Sequence, residues 1–260
     1  MHGSPHALSG DLPAFAADVI ARLRGRRPRV HCITNSVAQA FTANILLAIG
    51  AIPSMTIAPQ EVADFAARAD ALLVNLGTLD PERRTAIEIA LEKAAERSRP
   101  WILDPVLIDV SASRAAYARA LTARKPAVIR LNAAEFSALA GADTGRGAVA
   151  YFAAQTASVI GLTGTTDIVS DGKRHFEIAN GHALMNAVTA MGCAASSMVA
   201  ACLCAEDDGL AATASALLAF GVAGEIAAQS SQGPGSFAVA FIDALHNLDR
   251  AALIARGRVS

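Results

Sequence analysis

The sequence contains little charge. Only 17% of its 260 residues are Asp, Glu, Lys or Arg, and the formal net charge is −1. Because 53% of the residues are hydrophobic, the chain has too little charge for a disordered polypeptide and enough apolar material for a large core. The near-neutral balance also argues against a dedicated nucleic-acid-binding protein and against a polybasic membrane anchor, since both need a basic surface.

Cysteine is scarce too, and its four positions form no paired CxxC pattern of the kind that holds zinc: Cys32, Cys193, Cys202 and Cys204. The first ten residues have no basic start followed by an apolar stretch, so they do not resemble a secretory signal. We expect a flexible lead-in over residues 1–10 and a single domain over residues 11–260. Without a signal, a reducing cytoplasmic location with free thiols is the default expectation.

One uncharged stretch, residues 183–205, is long enough to cross a bilayer. It contains Asn186, Thr189 and Ser196, however, and its apolar members are mostly small. These features favour a buried helix of a soluble protein over a membrane span.

Motifs of three common enzyme classes are missing. There is no GxxxxGK[ST], no GxGxxG followed by an acidic residue at the required distance, and no GxSxG. A P-loop enzyme, a dinucleotide-binding domain and an α/β-hydrolase are therefore disfavoured. The six histidines are scattered and form no HExxH cluster.

Apolar runs typical of strands alternate with segments that have helical spacing. The strands are predicted at residues 30–33, 52–57, 71–76, 101–103, 127–130 and 158–162, with a hairpin over 167–178 that turns at Asp171-Gly172. The helices are predicted at residues 11–24, 36–49, 81–97, 112–123, 135–140, 145–157, 209–229 and 236–248, with another beginning near 192. This alternation predicts one doubly wound α/β domain.

Polar residues stand where five predicted strands end: Asn35, Asn75, Asp104, Asn132 and Thr163. In an open parallel sheet, the carboxyl ends of the strands form the edge where ligands bind. Any one of these side chains is more simply explained as a cap of the helix that follows. Five of them along one edge favour a binding site.

The segment from Thr189 to Ala194 leads into a long apolar helix. The first amides of a helix lack internal partners and carry the positive end of its dipole, so they suit a phosphate group. Gly192 would allow close approach of a ligand to the backbone. We expect the same dipole to lower the pKa of the Cys193 thiol, although a small buried residue is the commoner role for a cysteine.

The sequence resembles the hydroxyethylthiazole kinase family of thiamin salvage. The matching segments follow in family order: VHCITNSVAQAFTANILLAIGA (30–51), VNLGTL (74–79), ILDPV (102–106), IRLNAAE (129–135), LTG (162–164), NGHAL (180–184), GC (192–193) and GPGSF (233–237). The resemblance implies a single ribokinase-like, three-layer α/β/α domain with a mostly parallel central sheet. It also implies ATP-dependent phosphorylation of 4-methyl-5-(2-hydroxyethyl)thiazole with Mg²⁺, in a homotrimer whose sites lie between subunits.

The resemblance also suggests roles for individual residues. Substrate binding is assigned to Met55, Ala190 and Asn35, and ATP binding to Arg130, Thr163, Asn132 and Gly192. Asp104 and Glu135 match the acidic positions around Mg²⁺, and Cys193 stands where related kinases keep an aspartate base. An arginine fork suits phosphate oxygens, and carboxylates suit Mg²⁺. Because a thiol is a poor base at neutral pH, we expect Cys193 mainly to orient the hydroxyl group.

Four segments depart from the family pattern. Leu131 and Thr165 replace residues of the usual RGN and TGE triplets, Leu107-Ile108-Asp109 replaces a glycine-rich stretch, and Ala190 begins a loop that usually reads G-x-G-C. A methyl group at position 190 fits a negative φ but not a positive one. Two alternatives to the thiazole kinase therefore stay open. One is a kinase of the same fold for another small heteroaromatic alcohol, such as a pyrimidine, and the other is a catalytically impaired thiazole-binding protein.

Overall fold

The computed structural model describes residues 12–260, so the predicted lead-in lies outside the described residues. Helices and strands alternate along most of this length. The helices are α1 (Leu12–Arg26), α2 (Gln39–Ala48), α3 (Val62–Arg68), α4 (Pro81–Glu96), α5 (Ala112–Thr122), α6 (Ala133–Ala140), α7 (Arg146–Thr156), α8 (Met191–Leu203), α9 (Gly209–Ser230), α10 (Pro234–Asn247) and α11 (Arg250–Arg256). A 3₁₀ helix occupies Ala183–Ala187.

Eight strands form one sheet in the order β2-β1-β3-β4-β5-β6-β7-β8. They are β1 (Arg29–Ile33), β2 (Ile52–Ser54), β3 (Ala71–Asn75), β4 (Trp101–Asp104), β5 (Val128–Asn132), β6 (Val159–Thr163), β7 (Asp167–Ser170) and β8 (His175–Ile178). The first six strands are parallel, and the β7–β8 hairpin is antiparallel. The mostly parallel sheet and the hairpin are confirmed. The turn of the hairpin lies one residue later than predicted, at Gly172-Lys173, because the Asp171 N–H donates to the Arg174 carbonyl at 3.2 Å.

The sheet separates two apolar cores. Along β1, Cys32 packs with the helices of one face, whereas Ile33 packs with those of the other. This division follows from the alternation of side chains along a strand. One face is covered by α1, α2 and α8 to α11, and the opposite face by α3 to α7. The arrangement confirms the three-layer α/β/α fold, and its helices on both faces bury every residue of the central strands β3 and β4.

Helix α2 begins three residues later than predicted. The Asn35 carbonyl and the Asn35 side-chain oxygen both accept from the backbone N–H of Ala38, at 3.1 and 2.9 Å. This turn, held by both the carbonyl and the side chain of Asn35, takes residues 36–38 out of the helix. The predicted start of the helix at residue 36 was therefore wrong. The helical spacing of apolar residues extends into residues 36–38, but the Asn35 side chain holds these residues in a turn.

Other boundaries also differ from the predictions. Strand β2 ends at Ser54 rather than residue 57, because its pairing with β1 stops at His31↔Ser54. Helices α3 and α11 were not predicted, since each is only seven residues long and offers little period to detect. Asp249 caps α11 by accepting from the Ala252 N–H at 2.8 Å.

Helix α9 is the one helix within residues 12–260 that is both long and apolar enough to cross a membrane. Its most apolar window is 89% buried inside the fold. It packs against α1, α8 and α10, so it forms the centre of one core layer. The uncharged stretch noted above contains all of α8, whose residues are also almost entirely buried, as predicted for a core helix.

Candidate active site

A cavity of about 990 Å³ lies at the carboxyl edge of the sheet. Its floor is formed by the ends of β4, β5 and β6, and one wall by the first turn of α8. The lining includes eight of the ten residues assigned above: Asp104, Arg130, Asn132, Glu135, Thr163, Ala190, Gly192 and Cys193. Residues distant in sequence therefore meet at the edge where the strand-end pattern predicted a site.

Three of the strand-end residues form a continuous hydrogen-bonded chain. The Asn35 Nδ2 donates to Asn75 Oδ1 at 3.1 Å, and the Asn75 Nδ2 donates to Asp104 Oδ2 at 2.7 Å. The same Asn35 Nδ2 donates to Cys193 Sγ at 3.2 Å. The chain thus joins the thiol on α8 to the carboxylate on β4 through two buried amides.

Backbone amides fix the direction of this chain. The Ala38 N–H donates to Asn35 Oδ1 at 2.9 Å, and the Gly77 N–H donates to Asn75 Oδ1 at 3.1 Å. A backbone N–H can only donate, so each side-chain oxygen must face it and each NH₂ group must face the site. The two side-chain amides therefore present N–H donors, Asn35 to the Cys193 thiol and Asn75 to the Asp104 carboxylate.

Asp104 is completely buried. Burial raises the pKa of its carboxyl group to about 6, against the opposing effects of the Arg130 charge and of hydrogen bonds from Ser196 and Asn75. Oδ2 accepts from Asn75 and from Ser196, at 2.7 and 2.9 Å. Oδ1 has no hydrogen-bond partner among the residues that the structure describes. A buried oxygen of this kind is costly unless a ligand supplies its partner.

Arg130 lies across the first turn of α8. Its Nη2 donates to the Thr163 hydroxyl, and its Nη1 packs so closely on Gly192 that a Cβ there would stand 2.6 Å from it. Its Nε is buried and has no partner within residues 12–260. The first amides of α8 also lack a side-chain cap, because the capping position is Ala190. The Arg130 guanidinium and the first backbone amides of α8 therefore converge as free hydrogen-bond donors with positive charge. This is the arrangement that binding of an anion requires.

Two of the departures from the family pattern fall on left-handed backbone. Ala190 has φ +69° and Leu107 has φ +55°. A residue with a Cβ costs about 1–2 kcal/mol in this region relative to glycine. Ala190 therefore has the positive φ with which a methyl group does not fit well. The chain carries this backbone strain at a residue that lines the cavity.

The prediction for the Cys193 thiol was wrong. Its pKa is raised to about 11, first by burial and then by the Asp104 charge, while hydrogen bonds from Asn35 and Asn75 and the Arg130 charge oppose the rise. Desolvation of the thiolate outweighs the helix dipole because the side chain points into the protein rather than into solvent. The thiol is thus protonated at neutral pH.

Asn132 and Glu135 form a capping box at the start of α6. The Glu135 N–H donates to Asn132 Oδ1, and the Asn132 N–H donates to Glu135 Oε2, both at 2.9 Å. Glu135 Oε1 also accepts from the Leu107 N–H at 3.0 Å. The capping interpretation of the strand-end asparagines is therefore confirmed at Asn132, although both residues line the cavity.

The donor set at this edge fits a magnesium ion. No cluster of three or more metal-binding side chains occurs within residues 12–260, so the protein offers no cage of its own. Asp104 offers a free oxygen, whereas both Glu135 oxygens already accept backbone amides. Mg²⁺ prefers one or two carboxylates together with waters and phosphate oxygens, which is the set this edge can supply when a nucleotide is bound.

Met55 and Asn35 are the two assigned residues outside the cavity lining. Asn35 nevertheless reaches the site through its bond to Cys193. Met55 follows the edge strand β2 and packs, partly buried, against the core on the α9 side of the sheet. The fold of one chain does not bring Met55 to the cavity.

The assignment from sequence missed several residues of the site. Ser196 bonds Asp104, Asn75 links the two sides of the site, and the half-buried Asp167 lines the cavity with a pKa raised to about 6, chiefly by desolvation. Ser196 lies four residues after Gly192, so helical spacing places it on the same face of α8, whereas its contact with Asp104 depends on how α8 packs on the sheet. Asn75 was noted at a strand end but was given no role.

The sheet, its carboxyl-edge cavity and the converging carboxylate, guanidinium and helix amides define a small-molecule kinase of the ribokinase-like fold. A ribokinase-like superfamily protein from Enterococcus faecalis V583 shares this fold, with a TM-score of 0.68 at 15% identity. The chain belongs to the hydroxyethylthiazole kinase family, whose model matches residues 20–251.

Relatives match almost the whole chain. A probable hydroxyethylthiazole kinase from Agrobacterium fabrum is 43% identical over 97% of this chain and 98% of its own length. A hydroxyethylthiazole kinase from Klebsiella pneumoniae (strain 342) is 47% identical over 90% and 96%. The solved structure of the hydroxyethylthiazole kinase protein from Pyrococcus horikoshii OT3 superposes with a TM-score of 0.91, at 36% identity over 95% of this chain and 98% of that chain. The resemblance read from the sequence motifs is confirmed.

Proposed function

We propose that this chain transfers the γ-phosphoryl group of ATP to the primary alcohol of 4-methyl-5-(2-hydroxyethyl)thiazole, in the salvage of thiamin. The observation that carries the proposal is the convergence of Arg130, the free amides of α8 and the unpartnered Asp104 oxygen on one cavity. Phosphoryl transfer depends on positioning and on neutralising charge, and these groups supply both.

Arg130 and the α8 amides are the proposed anion site. The guanidinium, held by Thr163, forks onto phosphate oxygens, and the amides at 191–193 receive the charge of the transferred group. Asp104 would hold Mg²⁺ through its free oxygen, and Glu135 would act through water because both of its oxygens already accept backbone amides. When bound, Mg²⁺ supplies charge neutralisation between the phosphate oxygens.

Cys193 is proposed to orient the acceptor hydroxyl. Asn35 donates to its sulfur, so the S–H hydrogen remains available as a donor on the cavity side. The raised pKa keeps that hydrogen in place at neutral pH. A loose transition state needs the hydroxyl to be positioned more than deprotonated, which suits a neutral thiol.

Cys193→Ala is therefore expected to lower kcat about tenfold, the effect of losing one neutral hydrogen bond at the reacting group, while thiazole binding is unchanged. The measurement is kcat at saturating thiazole together with calorimetric binding of the thiazole. Cys202→Ala is a matched control, because Cys202 is a buried cysteine of the same helix that lies away from the cavity. Complete loss of turnover with thiazole binding intact would show instead that the thiol is essential.

We propose that the chain forms a homotrimer and that Met55 reaches the active site of a neighbouring copy. Exposed apolar side chains lie on three adjacent elements at the β2 edge: Leu47 on α2, Ile52 on β2 and Val239 on α10. Apolar surface of this kind typically marks a protein interface, and Met55 follows directly on the same edge. The four buried free thiols suit a reducing compartment, so we place the protein in the cytoplasm.

Incubation of the full chain with ATP, hydroxyethylthiazole and Mg²⁺, followed by mass spectrometry, tests the proposed reaction. We expect the phosphorylated thiazole, and no product when EDTA removes the metal. Calorimetric binding of the thiazole without product would support the impaired binding protein instead. Absence of thiazole binding would favour another acceptor, such as a pyrimidine alcohol. Product in the presence of EDTA would refute the role of Mg²⁺.

A further inference from the structure

Ser196 is a buried polar residue that no step of the proposed reaction uses. It stands on α8, one turn after Gly192, and its side chain is fully buried. Its hydroxyl donates to Asp104 Oδ2 at 2.9 Å, with the Gly192 carbonyl as a more distant alternative at 3.3 Å. Asp104 lies on β4, so this bond ties the helix that begins the anion site to the strand that carries the carboxylate.

Asp104 Oδ2 receives two donors from two different elements. The Asn75 Nδ2 approaches from β3 and the Ser196 hydroxyl from α8. A carboxylate held at one oxygen by two donors loses rotation about its terminal bond, and its other oxygen is fixed in one direction. That other oxygen, Oδ1, is the atom that has no partner among residues 12–260.

We infer that Ser196 is a positioning residue that, with Asn75, holds Asp104 so that Oδ1 is kept free for the metal of the metal–nucleotide complex. The inference rests on the proposed role of Asp104 in holding Mg²⁺. It extends that role to a residue which touches neither metal nor nucleotide. Supporting shells of this kind orient metal ligands in proteins, and their loss typically lowers metal affinity about 10- to 100-fold.

Two neighbouring serines make a matched test. Ser197 is also fully buried on α8, but its hydroxyl donates only to the Ala194 carbonyl, at 2.7 Å. Alanine suits a helix at both positions, so both variants are expected to fold. The readout is the calorimetric affinity for ADP, measured once with excess Mg²⁺ and once with EDTA.

For Ser196→Ala we expect the affinity for Mg²⁺·ADP to fall about tenfold, the lower end of the range for a lost supporting residue, while the affinity for metal-free ADP is unchanged. Ser197→Ala is expected to leave both affinities as in the unmodified chain. Equal behaviour of the two variants, with Mg²⁺·ADP affinity retained, would overturn the inference and make Ser196 a structural residue.

The Asp104→Asn background separates this inference from the proposed function. If Ser196 acts through Asp104, Ser196→Ala has no further effect on Mg²⁺·ADP affinity once Asp104 is replaced. Additive losses would overturn the inference while leaving the role of Asp104 intact. If Asp104→Asn itself leaves Mg²⁺·ADP affinity unchanged, the proposed role of Asp104 fails, and the inference fails with it.

Discussion

Asp104→Asn is expected to lower kcat by at least about 100-fold and, at the same time, to raise the free energy of unfolding at pH 7. The loss of activity follows because the amide no longer supplies a charged oxygen for Mg²⁺, a contribution of several kcal/mol to the transition state. The gain in stability follows because Asp104 is fully buried, so its negative charge is desolvated, whereas asparagine carries no charge at that place.

The raised pKa of Asp104 explains why the Asp104→Asn substitution is expected to increase the free energy of unfolding at pH 7. Burial raises the pKa of Asp104 from 3.8 to about 6, so the folded state binds its proton more tightly than the unfolded state does. The stability contributed by this group is therefore complete below pH 3.8 and is lost as the pH rises toward 6. A shift of about two pKa units corresponds to about 3 kcal/mol above pH 6. Asparagine does not ionise, so it avoids this cost.

The measurement is denaturant unfolding of the unmodified chain and of the Asp104→Asn variant, each at pH 7 and at pH 4. Asp104→Asn is expected to be more stable by about 1–3 kcal/mol at pH 7, with most of the difference gone at pH 4. A variant that is less stable than the unmodified chain at pH 7 would show that the buried charge is already compensated. Active sites commonly lose stability in exchange for activity in this way, because the reaction needs a buried charge that the protein itself does not neutralise.

Gly192→Ala is expected to raise the KM for ATP about 10- to 100-fold without unfolding the protein. A Cβ at position 192 would stand 2.6 Å from Arg130 Nη1, the far end of a flexible side chain. The guanidinium therefore swings away, and its charge-assisted bonds to phosphate, worth about 1.5–3 kcal/mol, are lost. The helix itself gains up to about 1 kcal/mol, because alanine replaces glycine inside α8.

Steady-state kinetics and thermal unfolding of the same variant test this prediction. Gly221→Ala is an informative contrast, because a Cβ there would stand 2.7 Å from the Asn180 backbone oxygen, which cannot swing away. That variant is expected to lose stability. In an Arg130→Lys background, Gly192→Ala is expected to change KM little further, since the fork that it displaces is already absent. An unchanged KM for ATP in Gly192→Ala would refute the role of Arg130.

Much of the fold was predictable because its signals are local. Apolar runs at strand spacing and helical spacing placed the six parallel strands and the long helices, and most boundaries were off by one to three residues. The errors have physical causes. At Asn35 a side chain holds a turn that periodicity does not register, and α3 and α11 are too short to display a period.

The sequence predicted which residues lie at the cavity only where their location follows from the course of the backbone, as it does at the end of a strand or the start of a helix. The ends of parallel strands share one edge, so Asp104, Asn132 and Thr163 met there as expected. The helix N-terminus at 190–193 also follows from local sequence. That Asn132 caps a helix was decided by its bond to the Glu135 amide. That bond fixes the asparagine oxygen whatever the sequence around it suggests. Asn132 also lines the cavity, so its role in ATP binding stays a prediction.

The sequence by itself determined the family, the alternation of elements and the edge of the sheet at which the candidate site lies, because motifs, periodicity and strand ends are properties of neighbouring residues. Tertiary structure decided the rest. Burial reversed the expected pKa shift of Cys193, since desolvation depends on everything packed around the thiol. Packing of α8 on β4 brought Ser196 to Asp104, and the edge position of β2 kept Met55 away from the cavity. Contacts between elements far apart in sequence are set by how whole layers pack, and no local pattern encodes them.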